Sequence, residues 1–364
     1  MVRACWQQRQ EAALRKSHRS HERAGWVGCI MAHILRPMLI VVAVVLQGVR
    51  AEPYPSRIRF ADAYAGFFAG QAAVVNVLVA GEHPDGTHLG WRLSAESSSV
   101  ARGEVMVRRD GPTPVSFDLP PVKPGVVMSW TLQVVLGETS IERMIKAYPF
   151  DPFEGRTSRL ITQPLSLFDP VGQTAVILDS SRIPYRRLHR PDDLLHADGL
   201  IVVGEGVSFH EYRGLAEAMI ECAINGNRVL CLAPSEGEFI LPGTRSQGGV
   251  PPDAMIFRRE EAIREIDKRL DTALWAPGIP SVVSSIEVDS FRQSVMARVL
   301  PGQSGWAWVE MCYGDQGRLV VGGFGIIRHW DQSPCARWLL AGLLEQMLSG
   351  NPSRKQGGGS HETY

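Results

Sequence analysis

The hydrophobic pattern of the chain changes once, at the segment Asp151-Pro-Phe-Glu-Gly-Arg156. Before it, from residue 56 to residue 150, short runs rich in valine and aromatic residues are separated by turn residues such as Asp110-Gly111. These runs have the length of strands and show almost no helical period. After it, strand-like runs such as 199–203 alternate with helix-like segments such as 208–226. Two domains joined by a short linker are therefore predicted.

The first region predicts an all-β domain. About seven short strands within roughly a hundred residues are typical of an immunoglobulin-like β-sandwich, which we assign to residues 56–150. The Cys–Trp–Cys core of true immunoglobulin domains is missing, so the resemblance is one of architecture. Trp91 and Trp130 are interpreted as core residues rather than a sugar-stacking platform. The strand-like segments are residues 74–79, 88–95, 100–107, 115–119, 126–136 and 141–148.

The second region predicts alternating strands and helices. Ser208 and Glu211 form a capping box for a helix that ends at Gly226. Ser333-Pro334 supplies an N-cap and a first-turn proline for a last helix that ends near Ser349. Such alternation favours a parallel sheet covered on both faces. The predicted strands are residues 165–168, 175–178, 199–203, 228–232, 293–299, 306–313 and 319–323.

The order of these apolar runs resembles a class I glutamine amidotransferase-like domain. The variety it is most similar to is the non-catalytic one that is appended to bacterial glycoside hydrolases such as family 42 β-galactosidases. The resemblance implies a flavodoxin-like or class I amidotransferase-like α/β domain of three layers over residues 160–348. The runs that carry it are Leu-Ser-Leu-Phe-Asp169, Gln-Thr-Ala-Val-Ile-Leu178, Gly-Leu-Ile-Val-Val-Gly204, Asn-Arg-Val-Leu-Cys-Leu232 and Gly317-Arg-Leu-Val-Val-Gly-Gly323.

Catalytic members of that family use a cysteine on a glycine-flanked turn and a His-x-Glu pair near the C-terminus. Cys231 falls on the corresponding strand, and His329-Trp-Asp331 occupies roughly the place of the pair. The neighbours of Cys231 supply no glycine, and a thiol within an apolar strand has a raised pKa. We therefore expect no catalytic set. The alternative that stays open is a cysteine-dependent hydrolase or amidase using Cys231, His329 and Asp331.

Ligands of open α/β sheets bind beyond the carboxyl ends of the strands. We therefore predict ligand-binding residues at Gly204, Glu205, Gly206 and Glu236. The Gly204–Phe209 segment is superficially similar to a dinucleotide loop, but Phe209 replaces the third glycine and Glu205 would oppose a pyrophosphate. A second enzymatic alternative pairs Glu205 with Glu236 or Glu238 as acid and base of a glycosidase. No cofactor is predicted, and the cysteine spacings match no metal site.

The N-terminus predicts export. Residues 1–30 are basic, residues 38–46 form an apolar run, and Val49 and Ala51 occupy the −3 and −1 positions of a cleavage site. The run is shorter than the roughly 20 residues that span a bilayer, so cleavage after Ala51 is favoured over an anchor. A buried strand is the alternative. We also hypothesise that Met31 is the true start, which would place residues 1–30 outside the protein.

Cysteine content and charge limit the partners. Cleavage would remove Cys5 and Cys29, and the four cysteines that stay could form disulfides in any of three pairings; they are Cys222, Cys231, Cys312 and Cys335. Basic and acidic residues number 38 each, so no nucleic-acid partner is predicted. The tail, residues 350–364, is predicted to be disordered. The function expected is that of a periplasmic or extracellular non-catalytic module with an unknown protein or glycan partner, touching a membrane only during export.

Overall fold

The computed structural model describes residues 58–81, 83–95, 98–242, 250–276, 278–291 and 294–349. The predicted leader with its cleavage site at Ala51 and the predicted tail at 350–364 lie outside these residues. All of the described residues belong to one compact unit of the chain. Within the described residues, no helix combines the length and the hydropathy needed to cross a bilayer.

The N-terminal half of the described chain is a pair of β-sheets. Their strands are β1 (Ile58–Phe60), β2 (Gly66–Phe68), β3 (Ala72–Val79), β4 (His88–Ala95), β5 (Ser98–Met106), β6 (Thr113–Asp118), β7 (Met128–Leu136) and β8 (Thr139–Tyr148). One sheet has the order β1-β3-β6 and the other β2-β8-β7-β4-β5. Side chains that alternate along β3, such as Val75 and Val77, are buried together with Leu93 and Leu132 of the larger sheet. Period-two patterning therefore builds this core.

The C-terminal half is built on a mixed sheet of seven strands. Its elements are α1 (Thr157–Thr162), β9 (Leu165–Phe168), α2 (Gln173–Ser180), β10 (Arg186–Leu188), β11 (Leu200–Val203), α3 (Leu215–Ile224), β12 (Arg228–Leu232), β13 (Gly237–Ile240), β14 (Ala254–Arg258), α4 (Ala262–Ile266), β15 (Ser284–Phe291), β16 (Ser294–Pro301), β17 (Trp308–Tyr313), β18 (Gly317–Gly322) and α5 (Pro334–Leu348). Two 3-10 helices, Pro191–His196 and Thr272–Leu274, complete them.

The seven strands are ordered β10-β9-β11-β12-β18-β17-β14. Neighbours from β10 to β18 are parallel, whereas β18 pairs with β17, and β17 with β14, in antiparallel register. A separate antiparallel sheet has the order β13-β16-β15. The parallel strands end at one edge, which places the residues that follow β9, β11 and β12 side by side.

The two faces of the seven-stranded sheet bury two different cores. One face contributes Val202, Leu230 and Val320 to a core that also contains α5 and the interior of the N-terminal sheets. The other face contributes Val203, Cys231 and Val321 to a core shared with α3 and with Phe239 and Val299 of the small sheet. Adjacent strand residues point to opposite faces, so Leu230 and Cys231 belong to different cores.

The N-terminal sheets pack directly on the C-terminal half. The Tyr148 hydroxyl donates a hydrogen bond to the Arg269 carbonyl at 2.8 Å, and its ring centroid lies 6.0 Å from that of Trp338 on α5. Gly66 on β2 approaches the backbone so closely that a Cβ there would lie 2.5 Å from the Leu274 carbonyl oxygen. The hydrophobic core therefore continues across the junction between the halves.

The fold class predicted from the sequence is wrong. Strands make up 41% of the structure and helices 18%, in several sheets, so an immunoglobulin-like sandwich followed by a helix-rich α/β domain of three layers is not what forms. In the N-terminal half, β2 pairs with β8 in parallel register. In the C-terminal half, the β13-β16-β15 sheet joins the core on the face of α3, where the prediction expected helices alone.

Two local errors contributed to that prediction. Residues 175–178, predicted as a strand, lie in α2, because Asp169 accepts the backbone N–H of Ala175 at 2.8 Å and stabilises the first turn. The helix predicted from Ser208 begins only at Leu215, after Gly214 with φ of +83°. Two predictions about helix termini are confirmed. Gly226 adopts φ of +88° beyond α3, and the Ser333 hydroxyl caps α5 by accepting the N–H of Ala336.

Candidate functional site

The carboxyl ends of the parallel strands bring together most of the residues predicted to bind a ligand. Asp169 follows β9, Gly204 and Glu205 follow β11, and Ala233 follows β12. Backbone hydrogen bonds join these turns: Gly204 donates to the Phe168 carbonyl, and the N–H of Gly206 donates to the Ala233 carbonyl, each at 2.9 Å. We call Asp169, Gly204, Glu205, Gly206 and Glu236 the strand-end cluster.

Glu205 is a buried carboxylate whose two oxygens both accept backbone hydrogen bonds. Its Oε2 accepts the N–H of Ile327 at 2.6 Å, and its Oε1 accepts the N–H of Arg328 at 3.2 Å. Burial raises the pKa of Glu205, and the hydrogen bonds from Ile327 and Arg328 counteract part of that rise. The carboxylate therefore fastens the 326–328 loop to the end of β11.

Gly204 is required by its contact with Asp169. A Cβ at position 204 would lie 2.4 Å from Asp169 Oδ1, a separation that real side chains essentially never show. Asp169 Oδ2 accepts the N–H of Ala175, whereas its buried Oδ1 has no hydrogen-bond partner among the residues described. The hydroxyl of buried Thr174 accepts the N–H of Glu205 at 3.1 Å and links α2 to the same turn.

Glu236 is held by the loop that precedes α3. Its Oε1 accepts a hydrogen bond from the Ser208 hydroxyl at 3.0 Å, and Ser208 Oγ accepts the N–H of Glu211 at 3.1 Å. The capping box predicted from the sequence thus forms in part, but it closes a turn instead of starting the helix. Gly206 adopts φ of +84° with open space around the missing side chain, so the turn geometry requires glycine there.

The carboxylate pairs proposed as an acid and a base are not joined in the structure. Glu205 faces the backbone of the 326–328 loop, and Glu236 faces Ser208. Glu238 lies on β13 of the separate sheet, where it is half exposed and forms an ion pair with Arg298 at 3.8 Å. Each of the three carboxylates has its own partner, and none faces another in a hydrogen bond among the described residues.

Cys231 is fully buried on β12 and points into the core beneath α3. Burial alone raises the pKa of its thiol far above the ordinary value, so almost no thiolate exists at neutral pH. The sharp bend that an exposed nucleophile would need occurs two residues later, at Ala233, whose φ is +22°. The strained position therefore presents a methyl group and no nucleophile.

His329 and Asp331 lie away from that thiol. Ile327 and Trp330, which flank His329, pack in the core on the other face of the sheet from Cys231. His329 is buried with its Nε2 unpartnered among the described residues, and burial, followed by the charge of Arg328, lowers its pKa. The Asp331 carboxylate is 90% exposed and pairs with Arg337 at 3.2 Å. No hydrogen bond within the described part of the chain connects the three predicted triad residues.

The described cysteines and acidic residues form neither a disulfide nor a metal site. Cys222, Cys231, Cys312 and Cys335 are unpaired, and all but the half-buried Cys312 are buried. Burial raises the pKa of Cys222 and Cys312 to about 11 each. Over the described ranges, no group of three or more His, Cys, Asp or Glu side chains is placed to hold a metal ion.

A cleft of about 420 Å³ opens elsewhere, at the junction of the two halves. Its walls come from the end of β8, the end of α2 and the segment that leads into α5. Among its residues, Arg337 is the one buried charge, and Asp331 is the one residue that the sequence had singled out. The lining consists of Phe150, Asp151, Pro152, Ser180, Ser181, Trp330, Asp331 and Arg337, which we call the junction cleft.

No family model matches the chain, and no curated protein matches it. Among solved structures, an engineered protein matches 25% of this chain and 19% of its own length, with 11% identity and a TM-score of 0.19. A sialyltransferase from Photobacterium damsela matches 46% of this chain and 35% of its own length, with 10% identity and a TM-score of 0.16. The chain thus spans about a third or less of these structures, and TM-scores this low establish no shared fold.

The junction cleft was missed from the sequence because its residues come from three distant segments. Phe150 was assigned to the end of the predicted sandwich and Asp151 to the start of the linker, and Arg337 lies within an otherwise apolar helix. A usable signal was present in that helix. A single arginine among buried residues requires partners for its charge, and the structure supplies them from Phe150, Trp330 and Asp331.

Proposed function

We propose that this chain is a non-catalytic interaction module that works at the cell envelope after export. The observation that carries the proposal is the state of Cys231, the only residue for which the sequence offers a nucleophilic role. Its thiol is fully buried, its pKa is raised by burial, and the segment carrying His329 packs on the opposite face of the sheet. A nucleophile and its base must lie within hydrogen-bond reach, and among the described residues no hydrogen bond joins Cys231 to His329.

The strand-end cluster supports the same proposal. Catalytic carboxylates act on a substrate through oxygens that the protein leaves accessible, whereas both oxygens of Glu205 accept backbone N–H groups. The Ser208 hydroxyl occupies one oxygen of Glu236. These carboxylates hold loops in place. Such a structural role fits a non-catalytic protein that binds a partner through its surface.

Thiol labelling of the native full chain tests the non-catalytic assignment. Of the four described cysteines, a small aromatic disulfide reagent should modify half-buried Cys312 first and should reach Cys231 only after denaturation. Cys231→Ala is the matched variant, because it removes the thiol and keeps a small apolar side chain. Rapid labelling of Cys231 in the folded protein, together with an amidase or esterase activity that Cys231→Ala abolishes, would overturn the proposal in favour of a cysteine-dependent hydrolase.

The proposed location rests on the basic stretch, the apolar run at 38–46 and the small residues Val49 and Ala51. Expression of the full chain in a bacterial host, followed by fractionation and N-terminal sequencing, tests it. A periplasmic or secreted product that begins at Glu52 is expected. Recovery of an uncleaved product from the cytoplasm would contradict export and leave the labelling result unaffected.

A further inference from the structure

The junction cleft combines an exposed aromatic ring with hydrogen-bonding groups. Phe150 is 52% exposed, although it packs against Phe68 at a centroid separation of 5.4 Å. Arg337 lies beneath it, with its guanidinium carbon 4.4 Å from the centre of the Phe150 ring. Trp330 borders the same cleft, and the guanidinium carbon lies 5.2 Å from its centre. The Phe150 ring thus contacts the buried guanidinium of Arg337 on its protein side, and its other side is open to solvent.

Arg337 holds the wall of the cleft together. Its Nε donates to the Trp330 carbonyl at 2.6 Å, its Nη1 to the Phe150 carbonyl at 3.1 Å and its Nη2 to Asp331 Oδ1 at 3.2 Å. A guanidinium has five N–H groups, so these three bonds leave two unassigned within the described residues. The cleft therefore offers donors at fixed positions, since the side chain is only 9% exposed and cannot reorient freely.

Acceptors also line the cleft. The Asp331 carboxylate is 90% exposed, and Asp151 is exposed while its Oδ1 accepts the N–H of Phe153 at 2.8 Å. Ser180 and Ser181 add hydroxyl groups from the end of α2. Two carboxylates against one guanidinium give the lining a net negative charge, which disfavours phosphates, carboxylates and sulfated ligands. The same exposed carboxylates disfavour a purely apolar ligand.

We propose that the junction cleft binds a neutral saccharide, a proposal that rests on the non-catalytic interaction role proposed above. Sugars present an apolar C–H face and a rim of hydroxyl groups that both donate and accept hydrogen bonds. Phe150 packs against the C–H face, Asp331 and Asp151 accept from hydroxyls, and the remaining N–H groups of Arg337 donate to them. The volume of about 420 Å³ lies within the range of small-molecule sites and accommodates a small saccharide.

Binding is tested with the full chain and a printed array of neutral and sulfated oligosaccharides, followed by calorimetric titration of each neutral oligosaccharide that is captured. Binding of at least one neutral saccharide and of no sulfated one is expected. Three variants locate the site. Asp331→Ala removes an acceptor, Ser180→Trp fills the cleft from the end of α2, and Gln173→Trp places the same bulk at the other end of that helix as a control.

Asp331→Ala is expected to weaken binding about tenfold, as loss of a charged hydrogen bond does. Ser180→Trp should abolish binding, and Gln173→Trp should leave it unchanged. Thermal melts confirm that each variant is folded. Saccharide binding should also change the fluorescence of Trp330, and this component should be missing in Trp330→Phe.

Three results overturn the saccharide proposal. They are the absence of neutral-saccharide binding at millimolar concentration, preferential capture of sulfated ligands, and binding that Asp331→Ala and Ser180→Trp leave unchanged. In each case the labelling of Cys231 decides separately whether the protein is non-catalytic. A protected Cys231 without saccharide binding would leave the interaction role in place, with a protein as the partner.

Discussion

The strand-end cluster and the junction cleft are both rich in charged and polar groups, and they use them in opposite ways. In the cluster, the Glu205 carboxylate is buried and both of its oxygens bind backbone N–H groups. In the cleft, Asp331 is almost fully exposed, and Arg337 retains N–H groups beyond its three described bonds. The first arrangement stabilises loops, whereas the second leaves hydrogen-bonding capacity for a ligand.

The comparison shows that position in a fold does not by itself identify a site. The carboxyl ends of parallel strands are where ligands of open α/β sheets usually bind, and that rule selected the cluster. In this protein, turns and a loop occupy that edge. Their backbone N–H groups bind both oxygens of Glu205 and one oxygen of Asp169, and the Ser208 hydroxyl binds Glu236. The following predictions test this division of roles.

The largest effect is expected for Glu205→Ala. The substitution leaves the buried N–H groups of Ile327 and Arg328 without acceptors, which should lower the free energy of unfolding by about 3 kcal/mol. Glu205→Gln keeps one acceptor and removes the buried charge, so its loss should be about half as large. Glu238→Ala, on the exposed face of β13, should change stability by less than about 0.5 kcal/mol. Urea unfolding of the three variants provides the measurement, and equal losses for Glu205 and Glu238 would refute a structural role for the cluster.

Gly204→Ala is expected to destabilise by about 2 kcal/mol, because its Cβ would collide with Asp169 and force that side chain to move. Gly206→Ala has open space around it and must only adopt a positive φ, which costs about 1 kcal/mol. Thermal unfolding ranks the two variants. If Gly204→Ala were the milder change, the close contact with Asp169 would not be what selects glycine.

His329 should make stability depend on pH. The folded pKa of His329 lies below the ordinary value of 6.5, so the unfolded state takes up the proton first as the pH falls. The free energy of unfolding is therefore at its full value above pH 6.5 and decreases as the pH falls through the folded pKa. His329→Gln should flatten this decrease. Unfolding free energies measured from pH 4 to pH 8 provide the test, and parallel curves for the wild type and His329→Gln would contradict the assignment.

A small change in stability is expected for Asp331→Ala. An ion pair with one partner 90% exposed contributes less than about 1 kcal/mol, and Arg337 keeps its two backbone acceptors. Urea unfolding should therefore place this variant close to the wild type even where its saccharide binding is weakened. A loss as large as that of Glu205→Ala would mean that the cleft, like the cluster, is built for stability.

Local elements were more predictable than their assembly. Short segments rich in valine and aromatic residues predicted strands at 88–95 and 115–119; β4 covers the first, and β6 covers 115–118 of the second. The cap of α5 at Ser333 was also predictable, because a side-chain cap depends on a few adjacent residues. These features are determined by neighbours in sequence.

Pairing between distant segments was not predictable. Nothing within the sequence of β2 indicates that it pairs with β8, or that β13 joins β16 across more than fifty residues. The strand predicted at 175–178 failed because a buried Asp169 favours a helix there through a tertiary arrangement of the turn. The junction cleft likewise depends on Phe150 and Arg337 coming together, which follows only from the packing of the two halves.

The bonds that Arg337 makes to both sides of the junction have a mechanical consequence. Its guanidinium stacks on Phe68 of the N-terminal sheets at 4.7 Å while its own backbone belongs to α5. A force that pulls the halves apart must withdraw the guanidinium from the Phe68 and Phe150 rings and from the Phe150 carbonyl, whereas its contacts with Trp330 lie within its own half. Neither half can therefore be cut away at Asp151–Arg156 without exposing the hydrophobic surface that the other covers.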